Sequence, residues 1–401
     1  MSSTSHRVSI FLALRSLERG NRFTLGLTVL IIGLVFVMLV FQPALLAGII
    51  QVENNQIVDY MYGNIAIEPK EHHLYIEDVS YLTEKINRIP GVVASSPRYV
   101  TAATFTYHDT TLGKTLTSVN PSDEAQVLTI PDKMITGEYL SDGDRDQIVI
   151  GELLAGHKDT SLDKLKSLGG VQVGDTIDVT FSNGVVRTYH VKGIFETQST
   201  TVDQTGFITT KEMESVMGLS DKASIVLVKL SATGNENNFR TTMLSYGIQE
   251  PIKTWSEEGA GFVGDINTSF SLINTIMIVF SLVIGAIVIF IVIFINTVNK
   301  RKQIAIMKAI GIKKEVIVNS YLLQVTCLCI AGIVIGLLMF DLIVYYLTTH
   351  PIRFPIGDIA PIIEPVRLLG SVITLLVVSL IAGYIPARKT VDEEILDAMR
   401  G

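Results

Sequence analysis

Four stretches of this 401-residue chain carry no charged residue: 23–52, 266–299, 316–340 and 368–387, which are 30, 34, 25 and 20 residues long. A helix needs roughly 20 apolar residues to cross about 30 Å of hydrocarbon, so each stretch is long enough to span a bilayer. Only 18% of the chain is charged, against about 25% in soluble domains. The composition argues against an ordinary soluble enzyme, and a membrane α-helical chain with four transmembrane helices is expected. The first stretch exceeds the roughly 7–15 apolar residues of a secretory signal. Leu46-Ala47-Gly48 is followed by Ile49 rather than Cys, so the stretch reads as an uncleaved anchor.

Residues 53–265, between the first two spans, have soluble composition and enough length for their own core. From 51 to 268 there are 17 Lys+Arg against 30 Asp+Glu, a net of −13, while the remainder carries +6. So acidic a domain argues against a nucleic-acid partner. Arg7, Arg15, Arg19 and Arg22 precede span one, and Lys300, Arg301, Lys302, Lys308, Lys313 and Lys314 lie between spans two and three. The loop between spans three and four has only Arg353, with Arg367 at its end. The positive-inside rule then places both termini and the middle loop in the cytoplasm. The protein is expected in the cytoplasmic (inner) membrane, multi-pass, with its large domain outside. Its parts read as an amphipathic helix at 1–22, spans at 23–52, 266–299, 316–347 and 367–387, a helix at 300–314, a short outer loop at 348–366 and a cytoplasmic tail at 388–401. The two cysteines, Cys327 and Cys329, fall in span three, so the outer domain has no disulfide.

Within that domain, Asn64-Ile65-Ala66-Ile67-Glu68 alternates like a strand. Asp78 reads as the N-cap of a helix bearing Val79, Leu82, Ile86 and Ile89 on one face. Pro90-Gly91 ends it and Val92-Val93 opens another strand. The order recurs as a strand at 225–228, a helix at 236–244 and a strand at 248–254. Two strand–helix–strand units predict a split α+β core at 60–103 and 223–256, around a β-rich insertion at 104–222. In the insertion, Ile177, Val179 and Phe181 share one face, and Asn183-Gly184 signals a hairpin returning through 185–191.

No G-x-x-x-x-G-K-[ST] loop occurs, which excludes ATP hydrolysis of the P-loop kind in this chain. His72-His73, with Glu71 and Glu77 nearby, reads as solvated rather than as a metal site. There is no catalytic constellation, so the chain is not expected to be an enzyme. Asp341 falls near the outer end of span three, an interfacial position, and Gly332 with Gly336 permits close helix packing. Val8, Phe11 and Leu12, with the basic run from Arg15 to Arg22, make a helix suited to the membrane interface. In the middle loop, Ile304, Met307 and Ile310 form an apolar stripe that ends at a Gly311 C-cap. Such a helix plugs into a groove on another protein or rests on anionic lipid.

The middle loop, Arg301-Lys302-Gln303-Ile304-Ala305-Ile306-Met307-Lys308-Ala309-Ile310-Gly311, resembles the R-x-x-E-I-A-I-x-[KR]-A-[LI]-G signature of MacB/FtsX-type ABC transporter permeases. Ala13-Leu14-Arg15-Ser16-Leu17 is similar to their A-x-R-x-L opening. Pro386-Ala387-Arg388-Lys389 and Asp397-Ala398-Met399-Arg400 are similar to their ending. Val173-Gly174-Asp175 and Val191-Lys192-Gly193-Ile194-Phe195-Glu196-Thr197 look most like the lipoprotein-releasing branch. The resemblance implies a MacB-like outer domain with a β-rich insertion. It also implies a permease that pairs with a second copy or a homologous permease, and with an ABC ATPase dimer that holds the ATP and Mg. This chain would need no cofactor of its own. The helix at 300–314 would couple to the ATPase through Arg301, Gln303, Ile304, Met307, Lys308 and Ala309. Its substrate would be an amphiphile such as a lipoprotein, taken from the membrane lipid. Gln303 departs from the family's Glu, so a charge-assisted contact becomes a neutral one. The alternatives are an FtsX-like relay that activates an extracytoplasmic cell-wall hydrolase, and a membrane-anchored receptor without an ATPase.

Overall fold

The computed structural model describes residues 3–18, 22–163, 165–299, 301–354 and 357–392. They fall into two compact units. One comprises Met1–Ile50, Asn267–Ile352 and Ile359–Gly401, the other Gln51–Ile266 and Arg353–Asp358. The chain begins with α1 (Ser3–Glu18) and α2 (Arg22–Gln56). α2 widens into a π-helical segment, Ile57–Tyr62, which Gly63 ends at φ 68°.

The second unit is built on one ten-stranded sheet. In chain order it contains β1 (Ile65–Ile67), β2 (Ile76–Glu77), α3 (Val79–Asn87), β3 (Val92–Tyr107), β4 (Thr110–Val119), α4 (Pro121–Val127), β5 (Met134–Gly137), β6 (Gln147–Gly151) and α5 (Glu152–Ala155). There follow β7 (Thr176–Phe181), β8 (Val186–Phe195), β9 (Gly206–Thr209), α6 (Thr210–Met217), β10 (Lys222–Ala223), β11 (Ile225–Leu230), α7 (Glu236–Ser245) and β12 (Ile252–Thr254). The sheet order is β12-β1-β11-β3-β4-β9-β6-β8-β5, and β7 pairs with both β3 and β8. That double pairing closes β3, β4, β9, β6, β8 and β7 into a six-stranded ring, which removes the edges an open sheet would expose. The ring is filled by Phe105, Leu116, Ile148, Val179, Tyr189 and Ile208. Asn183-Gly184 turns β7 into β8, with Gly184 at φ 83°.

A second layer packs α3 and α7 on β1, β11 and β12 through Val79, Leu82, Ile86 and Met243 against Ile65, Ile67, Val226 and Val228. β3 belongs to both layers. Its first half pairs with β11 and its second half with β4 and β7. It therefore runs unbroken through residue 104, where a separate insertion was expected to begin. The cap of α3 also differs from expectation. Asp78 takes φ 51° and makes no side-chain cap bond. Instead Asp221 Oδ1 accepts from Ser80 N at 2.8 Å and from Ser80 Oγ at 2.6 Å.

α8 (Trp255–Asn299) is one helix of 45 residues, so the span expected at 266 starts eleven residues earlier as a helix. α9 (Arg301–Ala309) and α10 (Lys314–Thr349) follow. The hairpin β13 (Ile352–Phe354) and β14 (Gly357–Ile359) then leads to α11 (Pro365–Asp392). Among the described residues, four segments are long and apolar enough to cross a membrane: Arg22–Tyr62, Ser271–Ile291, Lys314–Thr349 and Pro365–Lys389. They share a core of Phe36, Leu39, Ile289, Cys329, Phe340 and Leu375. Asp341 is exposed on α10.

Candidate functional site

The helix α9 is short because its end is specified locally. Gly311, at φ 91°, donates to Lys308 O at 3.0 Å, and Ile312 N donates to Met307 O at 3.1 Å. This pair of bonds is the Schellman arrangement, which needs a residue in the left-handed region after the helix. Its usual apolar contact is present too, since Met307 and Ile312 pack on the same cluster.

That cluster fixes the helix face. Ile304, 2% exposed, is buried with Ile317, Val318 and Tyr321 of α10 and with Ala387 and Val391 of α11. Ile304 therefore holds α9 to its own unit with its side chain turned inward. Met307 is half-buried in the same cluster. Gln303, Ile306, Ala309 and Ile310 are exposed, Ile306 to 55% and Ile310 to 75%. The expected stripe of Ile304, Met307 and Ile310 is thus not one face. At about 100° per residue, steps of three turn Ile310 by about 120° away from Ile304. Gln303, Ile306 and Ile310 fall within about 60° of one another instead. Lys308 is half-buried, and the side chain of Arg301 lies outside the described residues, as do Lys300 and the motif at 397–400.

Beside α9, α1 packs along α10. Ser9 is buried and donates from Oγ to Val316 O at 3.2 Å, and Ser16 Oγ donates to Gln324 Oε1 at 3.0 Å. The small residues Ser9 and Ala13 allow this approach, while Val8, Phe11 and Leu14 remain exposed. A cavity of about 280 Å³ between the three helices is lined by Arg15, Ser16, Gln303, Met307, Tyr321 and Gln324 among others. Gln303 thus opens into a polar recess that also holds Arg15, whose guanidinium pairs with Glu18 at 3.0 Å. Ile306 escaped the sequence reading because it lies outside the i, i+3 pattern. Its i, i+4 relation to Ile310 is the signal that finds it.

Among the described residues no group of three His, Cys, Asp or Glu is placed to hold a metal ion. His72 and His73 are exposed.

Residues 275–395, from within α8 past the end of α11, match the family model described as FtsX-like permease C-terminal. The chain is 23% identical over 369 residues to the putative hemin transport system permease protein HrtB of Staphylococcus epidermidis, covering 91% of each. It is 24% identical over 170 residues to the macrolide export ATP-binding/permease protein MacB of Escherichia coli K12, covering 42% of this chain and 25% of MacB. Among solved structures, the periplasmic region of MacB from Actinobacillus actinomycetemcomitans aligns with TM-score 0.37 and 11% identity, over 53% of this chain and 97% of that one. The extracellular domain of the transporter YknZ from Gram-positive bacteria aligns with TM-score 0.33 and 15% identity, over 48% and 97%. Residues 275–395 thus match an FtsX-like permease domain, and the chain is similar over most of its length to the HrtB permease and over part of it to MacB.

Proposed function

We propose that this ABC-type permease couples ATP hydrolysis in a separate ATPase dimer to movement of its large domain, with a second permease copy or a homologous permease completing the complex. The observation that carries the reading is the division of α9. Ile304 is anchored inward, while Ile306 and Ile310 expose an apolar pair beside Gln303. Apolar anchors on one face of a short helix are what a groove on a partner recognises. The basic residues around it favour the cytoplasmic side of the membrane, where ATP is available. The docking set is therefore revised to Gln303, Ile306, Lys308, Ala309 and Ile310, with Met307 as support. The substrate is an amphiphile extracted or extruded on the outer side, a lipoprotein being one such molecule. The names of the relatives give hemin for one and macrolides for another.

The relay reading shares this machinery. α8 is a helix from Trp255 to Asn299, the element through which such motion would pass. Purification of the full chain in mild detergent, with mass spectrometry of its partners, tests the proposal. An ABC ATPase accompanies the wild type and is lost from Ile310→Glu, whose carboxylate would be buried unpaired in the groove. An ATPase that stays with Ile310→Glu, or is absent from the wild type, overturns it.

A further inference from the structure

Two hollows of the α/β unit run into one another. The larger, about 760 Å³, is a groove over β3 and β4, bounded by the end of β7 and the segment before β9. The smaller, about 350 Å³, lies between the π-helical end of α2, β9, β11 and the first turn of α8. Val100, Thr115, Thr201 and Thr205 line both, so the two form one cleft. Small-molecule sites span about 300–1,000 Å³, which leaves room for part of a ligand in each half.

The groove follows from strand alternation. Successive side chains point to opposite faces, and Ala103, Phe105, Leu112 and Leu116 go into the ring. Ala102 and Thr104 of β3, paired with Thr115 and Gly113 of β4, are left on the outside. Thr104, Thr115, Thr180 and Thr201 line the groove with side chains that hydrogen-bond no other described residue. Gly113 sits inside a ten-residue strand, where glycine costs stability. Its φ is not in the left-handed region, and a β-carbon there would meet open space. Neither a turn nor packing requires this glycine. Strand glycines of that kind mark places where a ligand comes close to the backbone.

The two halves differ in chemistry. Among the described residues Lys114 is the one charged side chain lining the groove, and its ammonium donates to Gln204 Oε1. The smaller hollow has walls from Tyr60, Met61, Tyr62, Phe207 and Ile225. Its charged side chains already have partners. Lys253 Nζ lies 2.7 Å from Glu68 Oε2 and 3.0 Å from Glu258 Oε1, and Arg98 pairs with Glu124. Hydroxyls without protein partners thus lead into an aromatic hollow that offers no unpaired charge.

We propose that this cleft binds an uncharged amphiphile with a hydroxyl-bearing head, of which an alkyl glycoside is the simplest case. The head lies over Ala102 and Gly113 and exchanges hydrogen bonds with Thr104, Thr115 and Thr180, since hydroxyls both donate and accept. The tail passes Val100 and packs against Tyr62, Phe207 and Ile225, driven by burial of its apolar surface. A cation would find no free carboxylate in the cleft, and an anion only a lysine already bonded to Gln204. The inference rests on the permease reading, to which it adds the class of substrate.

The test uses the full chain in phosphatidylcholine nanodiscs with no ATPase present, carrying Ala102→Cys on the groove floor. Both native cysteines lie in α10, an apolar membrane-spanning segment, so a charged, water-soluble maleimide reads position 102. Its labelling rate is followed against octyl glucoside, octyl sulfate and octyltrimethylammonium, one tail with three head charges. Methyl glucoside, which lacks the tail, is the fourth probe. Octyl glucoside slows labelling saturably, and the other three need at least about tenfold higher concentrations. Thr104→Val with Thr115→Val raises the half-protecting concentration about tenfold, the worth of two neutral hydrogen bonds. Ile225→Trp, which fills the hollow and leaves the groove alone, raises it as well. Should the double variant fail to fold, Gly113→Leu reads the same groove. Equal protection by either charged octyl probe, or variants protected like their parent, overturns the proposal. ATPase co-purification is read on separate samples. Absent protection with the ATPase retained sinks the cleft alone, and an absent ATPase with protection retained sinks the coupling alone.

Discussion

The carbonyl oxygen of Gly33 in α2 faces Gly336 in α10 so closely that a β-carbon on Gly336 would lie 2.8 Å from it. One turn earlier, a β-carbon on Gly332 would lie 2.5 Å from Ile32 Cγ2. The two helices cross on backbone, the small-residue packing that membrane helices use where no hydrophobic force separates protein from lipid. Gly336→Val therefore destabilises the chain by about 1–3 kcal/mol, the range for overpacking. Gly370→Ala in α11, where a β-carbon meets open space, holds or raises stability. Thermal unfolding in detergent reads both, and equal midpoints for Gly336→Val and the wild type would refute the contact.

Ile304 and Ile310 separate folding from docking. Ile304→Ala opens a hole among Ile317, Tyr321 and Ala387 and costs about 2–4 kcal/mol. Ile310→Ala, at 75% exposed, stays within about 0.5 kcal/mol of the wild type. Unfolding midpoints should divide the two variants, and a loss at Ile310 as large as at Ile304 would contradict the observed face.

Asp203 makes the stability of the α/β unit fall as mild acid is neutralised. Burial lifts its pKa from 3.8 to about 6, against the lowering pull of Thr197, whose N and Oγ1 donate to Oδ1 at 2.8 and 2.7 Å. The folded pKa is above the unfolded one, so between about pH 4 and 6 the unfolded chain releases its proton first and stability falls as pH rises. Relative to Asp203→Asn, the wild type loses up to about 3 kcal/mol across that window. Unfolding midpoints of the pair taken from pH 4 to 7 should diverge upward in pH, and parallel curves would exclude the shift.

Glu124 is fully buried and carries the Arg98 charge, with Ser96 Oγ donating to its Oε2 at 2.7 Å. Glu124→Ala strands that guanidinium and costs about 3–5 kcal/mol. Arg98→Met combined with Glu124→Leu regains most of it, because the desolvation penalty goes with the charges. Denaturant midpoints of the single and double variants decide the matter, and a double variant weaker than the single would count against it.

The sequence exposes whatever is specified within a few residues. The four apolar helices follow from missing charge, the β7–β8 turn from Asn183-Gly184, and the end of α9 from Gly311. What depends on distant partners is hidden. Asp78 has the residue type and place of a cap, yet the cap arrives from Asp221, 141 positions from the Ser80 that it binds. The ring of strands closes only when β7 reaches β3, a pairing of Phe105 with Val179 that no local pattern announces. At the candidate site, helical spacing located α9 but misjudged its face, since the inward side is chosen by Tyr321 and Val391 on other helices.

The sharing of β3 between two cores has a mechanical consequence. A rotation of the α3–α7 layer against the ring would have to bend β3 between Arg98 and Tyr99, where its pairing passes from β11 to β4. Force delivered to one layer therefore reaches the other along the covalent backbone of one strand.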